Sequence, residues 1–286
     1  MQSYKEKQNS PELIRLLKAS TVAYKNAKSR EFAVTYILLF LAIAYPITYI
    51  FLKDNSVKES LFAVSFFVTV TTWVLTDYFK GNTTKGALLK EQFDVLLFGL
   101  PWKFMLPKPD MADVVSLEKE YTGNEIQDWY PTNISEIIPE NTEVAICQRI
   151  SSSWDIMIRS KYKSFLTISL FAYTFLVFML WVIKSVDGRT IFLLYFSSLS
   201  FYSHIITLIR GNASAIKKRT TIVSKLDDYI NNKKQFTKDN LRDVQDEIYT
   251  IRQEPAKVPD FYFRLYNRKI KETFELYIQF VNSIYL

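Results

Sequence analysis

Four stretches of the chain, 32–52, 60–76, 164–183 and 190–209, run for 21, 17, 20 and 20 residues without Asp, Glu, Lys or Arg. At about 1.5 Å of rise per residue, a helix of that length crosses a hydrocarbon core of about 30 Å. Long apolar runs arranged as two close pairs predict an all-α membrane protein built from two transmembrane helical hairpins, 32–76 and 164–209. Buried helices of a soluble protein are the alternative, and they would have to account for all four runs. Pro46 predicts a bend in the first span, with neighbouring backbone groups satisfying the freed carbonyl.

The polar segments carry their own periodicity. Ser10-Pro11-Glu12 reads as a cap, a proline at the first helical position and an acid in the first turn. The apolar series Leu13, Leu16, Leu17, Ala23, Tyr24, Ala27 then makes 1–31 an amphipathic helical segment leading to the first span. Within the central segment, 77–163, an apolar stretch from Leu88 to Leu97 stops at Gly99-Leu100-Pro101-Trp102. Asp110 opens a short helix towards Tyr121, and Asp128-Trp129-Tyr130-Pro131 is a loop, because proline pushes its predecessor out of α geometry. Ile146, Ile150, Trp154 and Ile158 recur every fourth residue and run towards the third span, which predicts one helix continuing into the bilayer. The C-terminal segment, 210–286, holds a helix with Leu241, Val244, Ile248 and Ile251 on one face and, after Pro255 and Pro259, a very apolar helix from Asp260. The cytoplasmic pieces are read as one discontinuous helical domain.

Charge sets the orientation. The three long polar segments hold 32 Lys and Arg against 4 in the two short turns, so the positive-inside rule places both termini in the cytoplasm. The first apolar run follows a polar segment and is too long for a cleavable signal, so none is expected. The net charge of +7 is what this topology produces, and duplex nucleic acid is not an expected partner. The triplet Lys217-Lys218-Arg219, just after the last span, is expected to anchor its helix at anionic headgroups.

Composition narrows the chemistry. With 6 glycines, 1 histidine and 1 cysteine, the chain is poorly supplied for Gly-rich phosphate cradles, zinc clusters and disulfides. Cys147 lies on the predicted cytoplasmic side, as a reducing compartment requires. No cofactor, no metal and no covalent catalysis are expected. A membrane enzyme would need a clustered acid, base or metal set, and Asp94, Asp110, Asp113 and Asp128 show no recognised spacing. Two polar stripes remain: Ser65, Thr69, Thr72 and Thr76 in the second span, and Ser197, Ser200, His204 and Thr207 in the fourth, with Thr190 and Ser203 near them. They are candidate pore-lining residues, and small hydroxyls serve close helix packing equally well. His204, the one ionisable residue inside a span, is expected to face a bundle interior or water, and Asp77 is a geometrically possible partner.

Several local patterns resemble the SMODS-associated four-transmembrane effectors, a family proposed to form pores in bacterial cyclic-oligonucleotide antiphage signalling (CBASS). They are Glu12-Leu13-Ile14-Arg15-Leu16-Leu17 with Ala23-Tyr24 and Ala27-Lys28; Gln92-Phe93-Asp94 with Phe98-Gly99-Leu100-Pro101-Trp102; Asp128-Trp129-Tyr130-Pro131; and Ile146-Cys147-Gln148-Arg149 with Trp154-Asp155, Arg159 and Tyr162. Lys103 and Ser151-Ser152-Ser153 depart from that pattern. The resemblance implies a multi-pass protein of the bacterial inner membrane. Activated by a cyclic oligonucleotide messenger from a CD-NTase, it would oligomerise with copies of itself and permeabilise the bilayer.

Such a messenger asks for cations against its phosphates and flat side chains against its bases. Arg149, Arg159, Trp129, Tyr130 and Trp154 supply both in the central segment and are the candidate ligand-binding residues. The resemblance assigns no ligand contact to these positions, and packing roles for the tryptophans and a surface i,i+4 pair for Asp155 with Arg159 are the alternatives. The competing function is a membrane sensor or scaffold that forms no pore and recruits a partner through its cytoplasmic helices.

Overall fold

The computed structural model describes residues 3–51, 55–78, 80–184, 188, 195–196, 198–254 and 257–286, and among them every regular element is helical. The helices are α1 (Tyr4–Lys7), α2 (Pro11–Phe51), α3 (Asn55–Tyr78), α4 (Lys80–Phe98), α5 (Met111–Lys119), α6 (Glu140–Lys184), α7 (Leu199–Asn231), α8 (Lys238–Arg252) and α9 (Asp260–Tyr285). Their ends follow local chemistry. α2 begins at Pro11, and α5 begins where the Asp110 side chain accepts the Ala112 N–H at 2.9 Å. α8 begins with a reciprocal cap in which Thr237 Oγ1 accepts the Asn240 N–H and Asn240 Oδ1 accepts the Thr237 N–H. α4 stops at Gly99, whose φ of +61° is left-handed backbone that favours glycine.

α2 and α6 contain stretches, Pro11–Thr48 and Glu140–Leu180, long and apolar enough to cross a membrane. Only 28% and 11% of the apolar windows in these helices are buried, unlike core helices of a soluble protein. Their outer faces present Phe40 at 69% exposure and Phe171 at 72%, with Phe67 of α3 at 72%. Single exposed apolar residues are ordinary, but a contiguous belt of phenylalanine and isoleucine marks a surface that meets something apolar. α2 runs unbroken through residue 31, where the sequence placed the edge of the cytoplasmic segment, and Pro46 lies within it. Of the fourth predicted span, 190–194 and 197 lie outside the described residues.

α2, α6 and α7 pack against one another at both ends. In the apolar half, Tyr173 Oη donates to the Ala42 carbonyl at 2.8 Å and lies 2.7 Å from Ser198 Oγ. Thr35 Oγ1 lies 2.8 Å from His204 Nε2. In the polar half, a core centred on Phe93, Ile146, Cys147, Ile158, Leu226, Leu241 and Ile248 joins α2, α4, α6, α7 and α8.

Candidate functional site

Polar residues on the inner faces of α2, α4, α6, α7 and α8 converge around a cavity of about 1020 Å³ in the half of the molecule opposite the apolar belt. Its floor is charged. On α4, Lys90 and Asp94 share a face one turn apart, and both are buried. Asp94 accepts from Arg252 Nη1 at 2.6 Å, Tyr130 Oη at 2.9 Å and Gln245 Nε2 at 3.2 Å. Burial alone would raise its carboxyl, but Arg252 and Lys90 outweigh that and hold it below the ordinary range. Beside it, Glu91 pairs with Arg242 and accepts from Gln245 at 2.7 Å.

Asp155 of α6 organises the other side of the floor. It pairs with Arg159 on its own helix and lies 2.7 Å from Arg219 of α7, while Arg159 Nη1 reaches Asn212 Oδ1 at 2.9 Å. Burial works against the Asp155 carboxylate, yet Arg159 and Arg219 hold its pKa down to about 2. Arg219 is itself buried. The headgroup anchor expected of Lys217-Lys218-Arg219 is therefore corrected for Arg219, which turns inward because Asp155 is there to receive it.

The aromatic wall comes from the loop that contains Asp128-Trp129-Tyr130-Pro131. Asp128 has a positive φ of 46°, and the segment after α1 holds the loop in place by imitating a backbone partner. Gln8 Oε1 accepts the Tyr130 N–H at 2.8 Å, and Gln8 Nε2 donates to the Tyr130 carbonyl at 3.2 Å. Asn9 Oδ1 accepts the Asp128 N–H at 3.0 Å while its Nδ2 donates to the Asp128 carboxylate at 2.9 Å, and Tyr4 Oη donates to the Pro131 carbonyl at 2.7 Å. Trp129 then lies over Lys90, with the ammonium 3.9 Å from the ring centroid and 4.0 Å from that of Phe93. Across the cavity, Trp154 stacks on Phe274 of α9 with centroids 5.6 Å apart.

Of the candidate ligand-binding residues, Trp129, Tyr130, Trp154 and Arg159 line this cavity. Arg149 is elsewhere, in a two-pronged pair with Asp227 at 2.9 and 3.2 Å and stacked 3.7 Å over the Tyr277 ring. Of the candidate pore-lining residues, Ser65 and Ser200 are buried and His204 faces Thr35 on α2. Thr207 is exposed and donates to the Ser203 carbonyl of its own helix. The side chains of Thr69, Thr72, Thr76 and Asp77, and Ser197 altogether, lie outside the described residues.

Sequence reasoning missed Tyr24, Lys90, Arg219, Arg252 and Lys257, all of which line the cavity. One signal was available: Lys90, Glu91 and Asp94 interrupt an otherwise apolar face of α4, which is where a buried charge network would show itself.

A comparison with family models matches residues 2–279 to the SMODS-associating 4TM effector domain. The chain belongs to this family of effectors. Membership supports an antiphage effector role and, with the apolar helices, a membrane location. A similar protein from Bacillus cereus (strain VD146), named a probable CBASS effector molecule, is 25% identical over 295 residues, covering 93% of this chain and 94% of its own. No solved structure matches the chain. In this effector, the cavity is lined by α2, α6 and α7, the helices that also carry the apolar belt.

Proposed function

We propose that the protein is a messenger-gated membrane effector that oligomerises in the bacterial inner membrane and opens a permeation path without catalysing a covalent reaction. One observation carries this reading: α2, α6 and α7 each contribute to the cationic and aromatic cavity and then continue as the same helix into the apolar belt. A ligand that draws Tyr24, Arg159 and Arg219 together acts directly on the angles at which three membrane helices emerge. The cavity offers guanidinium and ammonium groups for phosphates and flat rings for bases, as a cyclic oligonucleotide requires.

In this reading the chain crosses the membrane four times, with both termini in the cytoplasm. Four helices leave little room for a conduit inside one subunit, so the path forms between copies. The exposed hydroxyl-bearing face at Ser203 and Thr207 supports an intersubunit lining. Dye release from liposomes holding the purified protein tests the proposal, with cyclic di- and trinucleotides added on the cytoplasmic face. Leakage that depends on one messenger is the expected result. Messenger binding with an intact permeability barrier would favour a scaffold that recruits a partner.

A further inference from the structure

The charges at the floor of the cavity do not balance. Five basic side chains line it, Lys90, Arg159, Arg219 and Lys257 buried and Arg252 partly buried, and Asp94, Asp155 and Glu31 are the carboxylates nearest to them. Each of the two aspartates is shared by two cations. Asp94 lies between Arg252 at 2.6 Å and Lys90 at 3.7 Å, and Asp155 between Arg159 and Arg219. Glu31 accepts the backbone N–H of Lys257 at 3.1 Å, while the Lys257 ammonium donates to the Glu254 carbonyl at 2.7 Å. Basic groups outnumber carboxylates at this floor, an arrangement that favours an anion arriving from outside.

On the cavity wall, the buried ammonium of Lys90 and the buried hydroxyl of Tyr24 lack a hydrogen-bond partner among the described residues. Both can donate. Tyr24 stands between the two clusters, close enough that its phenol responds to Arg252 and Asp94 on one side and to Arg219 and Asp155 on the other. A phosphate oxygen is the acceptor these donors lack, and the clusters flank Tyr24 as two separate seats.

Resting on the messenger-gated reading above, we propose that the cavity binds a cyclic dinucleotide through both of its phosphodiesters at once. One phosphate sits against Lys90, Arg252 and the Tyr24 hydroxyl, and the other against Arg159, Arg219 and Lys257. Trp129 and Trp154, each beside one seat, receive the bases. A cyclic mononucleotide fills one seat, and the remaining lining lysines are the exposed Lys25 and Lys271, and Lys28, which is paired with Asp260.

The two lysines add a separate signature. Burial lowers the Lys90 ammonium well below its ordinary value, with Arg252 lowering it further and Asp94 opposing. Burial lowers Lys257 as well, with Arg159 and Lys28 acting in the same direction and Glu31 and Asp155 against it. A phosphate placed beside either lysine raises its proton affinity again. Binding therefore takes up protons, and affinity falls as the pH rises above the lowered values of the free protein.

Titration calorimetry on the full chain in lipid nanodiscs tests this, with cyclic di-AMP, cyclic di-GMP, cyclic GMP-AMP, cyclic tri-AMP and 3′,5′-cyclic AMP as probes, in buffers of different ionisation enthalpy. The expected result is that a cyclic dinucleotide binds at least tenfold more tightly than the trinucleotide or mononucleotide, with net proton uptake. Lys90→Met and Lys257→Met should each weaken it at least tenfold while melting near wild type. Tyr24→Phe, which keeps the ring, should weaken it severalfold. A trinucleotide that binds best and triggers leakage would overturn the two-seat inference and leave messenger gating standing. So would dinucleotide affinity unchanged in both lysine variants. Folded protein that binds no probe would overturn messenger gating, and this inference with it.

Discussion

α6 presents two surfaces along one uninterrupted helix. Between Glu140 and Arg159 it buries Ile146, Cys147 and Ile158 completely and pairs Asp155 with cations from two helices. Beyond Ser164 the same helix exposes Ile168 at 68%, Phe171 and Phe175, and its polar contacts shrink to a few hydroxyls. Backbone geometry is common to both halves, so the difference lies in what surrounds the helix. In water a helix gains stability by hiding apolar faces and meeting every buried charge. In lipid the apolar face is already at home, and neighbouring helices are held by packing and weak hydrogen bonds. The polar half should be brittle to single changes and the apolar half tolerant of them.

The largest effect should come from the polar half. Arg252→Ala leaves Asp94 buried with Lys90 at 3.7 Å and no guanidinium. Removing one partner of a buried pair costs about 3–5 kcal/mol, so the variant should melt far below wild type in detergent or fail to accumulate. A melting point close to wild type would mean that the network is solvated and the brittle half is not brittle.

Lipid is what makes the apolar half tolerant, and Phe171 tests it in two directions. Phe171→Ala removes a ring exposed by 72% and should leave the melting temperature close to wild type. Phe171→Lys places a charge mid-span, at about 2.5–3.5 kcal/mol on insertion scales, and should deplete the membrane fraction. If the lysine variant inserts and melts normally, that face meets water or protein instead.

A smaller effect is expected where the halves join the cavity. A methyl group on Gly86 of α4 would lie 3.1 Å from the Tyr24 ring, so the ring must move a few tenths of an ångström, and open cavity lies on its other side. The helix gains about 1 kcal/mol of propensity from alanine, which offsets the crowding. Gly86→Ala should therefore melt within about 1 kcal/mol of wild type while weakening nucleotide binding severalfold, as calorimetry would show. Equal losses in stability and binding would indicate that Tyr24 cannot move.

The same contrast explains what the sequence disclosed. Helices with one dominant period were legible, because Ile146, Ile150, Trp154 and Ile158 repeat at the helical spacing wherever the partner lies. Candidate aromatics were legible as chemistry, and Trp129, Tyr130 and Trp154 do line one cavity. Most of its charged floor was not legible, because the pairs that tie one helix to another are made between distant parts of the chain. Arg252 meets Asp94 across 158 positions, and Gln8 holds Tyr130 across 122. Arg219 was read with its basic neighbours as a surface triplet, and only the fold discloses that Asp155 waits on the facing helix. Arg149 shows the converse, since its chemistry suited a ligand and Asp227 had already claimed it.

The smallest effect should come from a polar contact that joins α2 to α7 within the apolar half. Thr35 Oγ1 lies 2.8 Å from His204 Nε2 and also donates to the Glu31 carbonyl at 2.9 Å, so a hydrogen bond between the two side chains has the imidazole N–H as donor. Interhelical hydrogen bonds in membranes average about 0.6 kcal/mol, because the separated helices find other partners. Thr35→Val keeps the shape and removes the acceptor, and should lower stability by about that amount, near the limit of a careful detergent melt. His204→Phe removes the donor, and the double variant should cost little more than either alone if the two groups act only on each other. A loss several times larger would mean that His204 sits in a wider polar network across the helices. The apolar half would then share the brittleness assigned to the polar one.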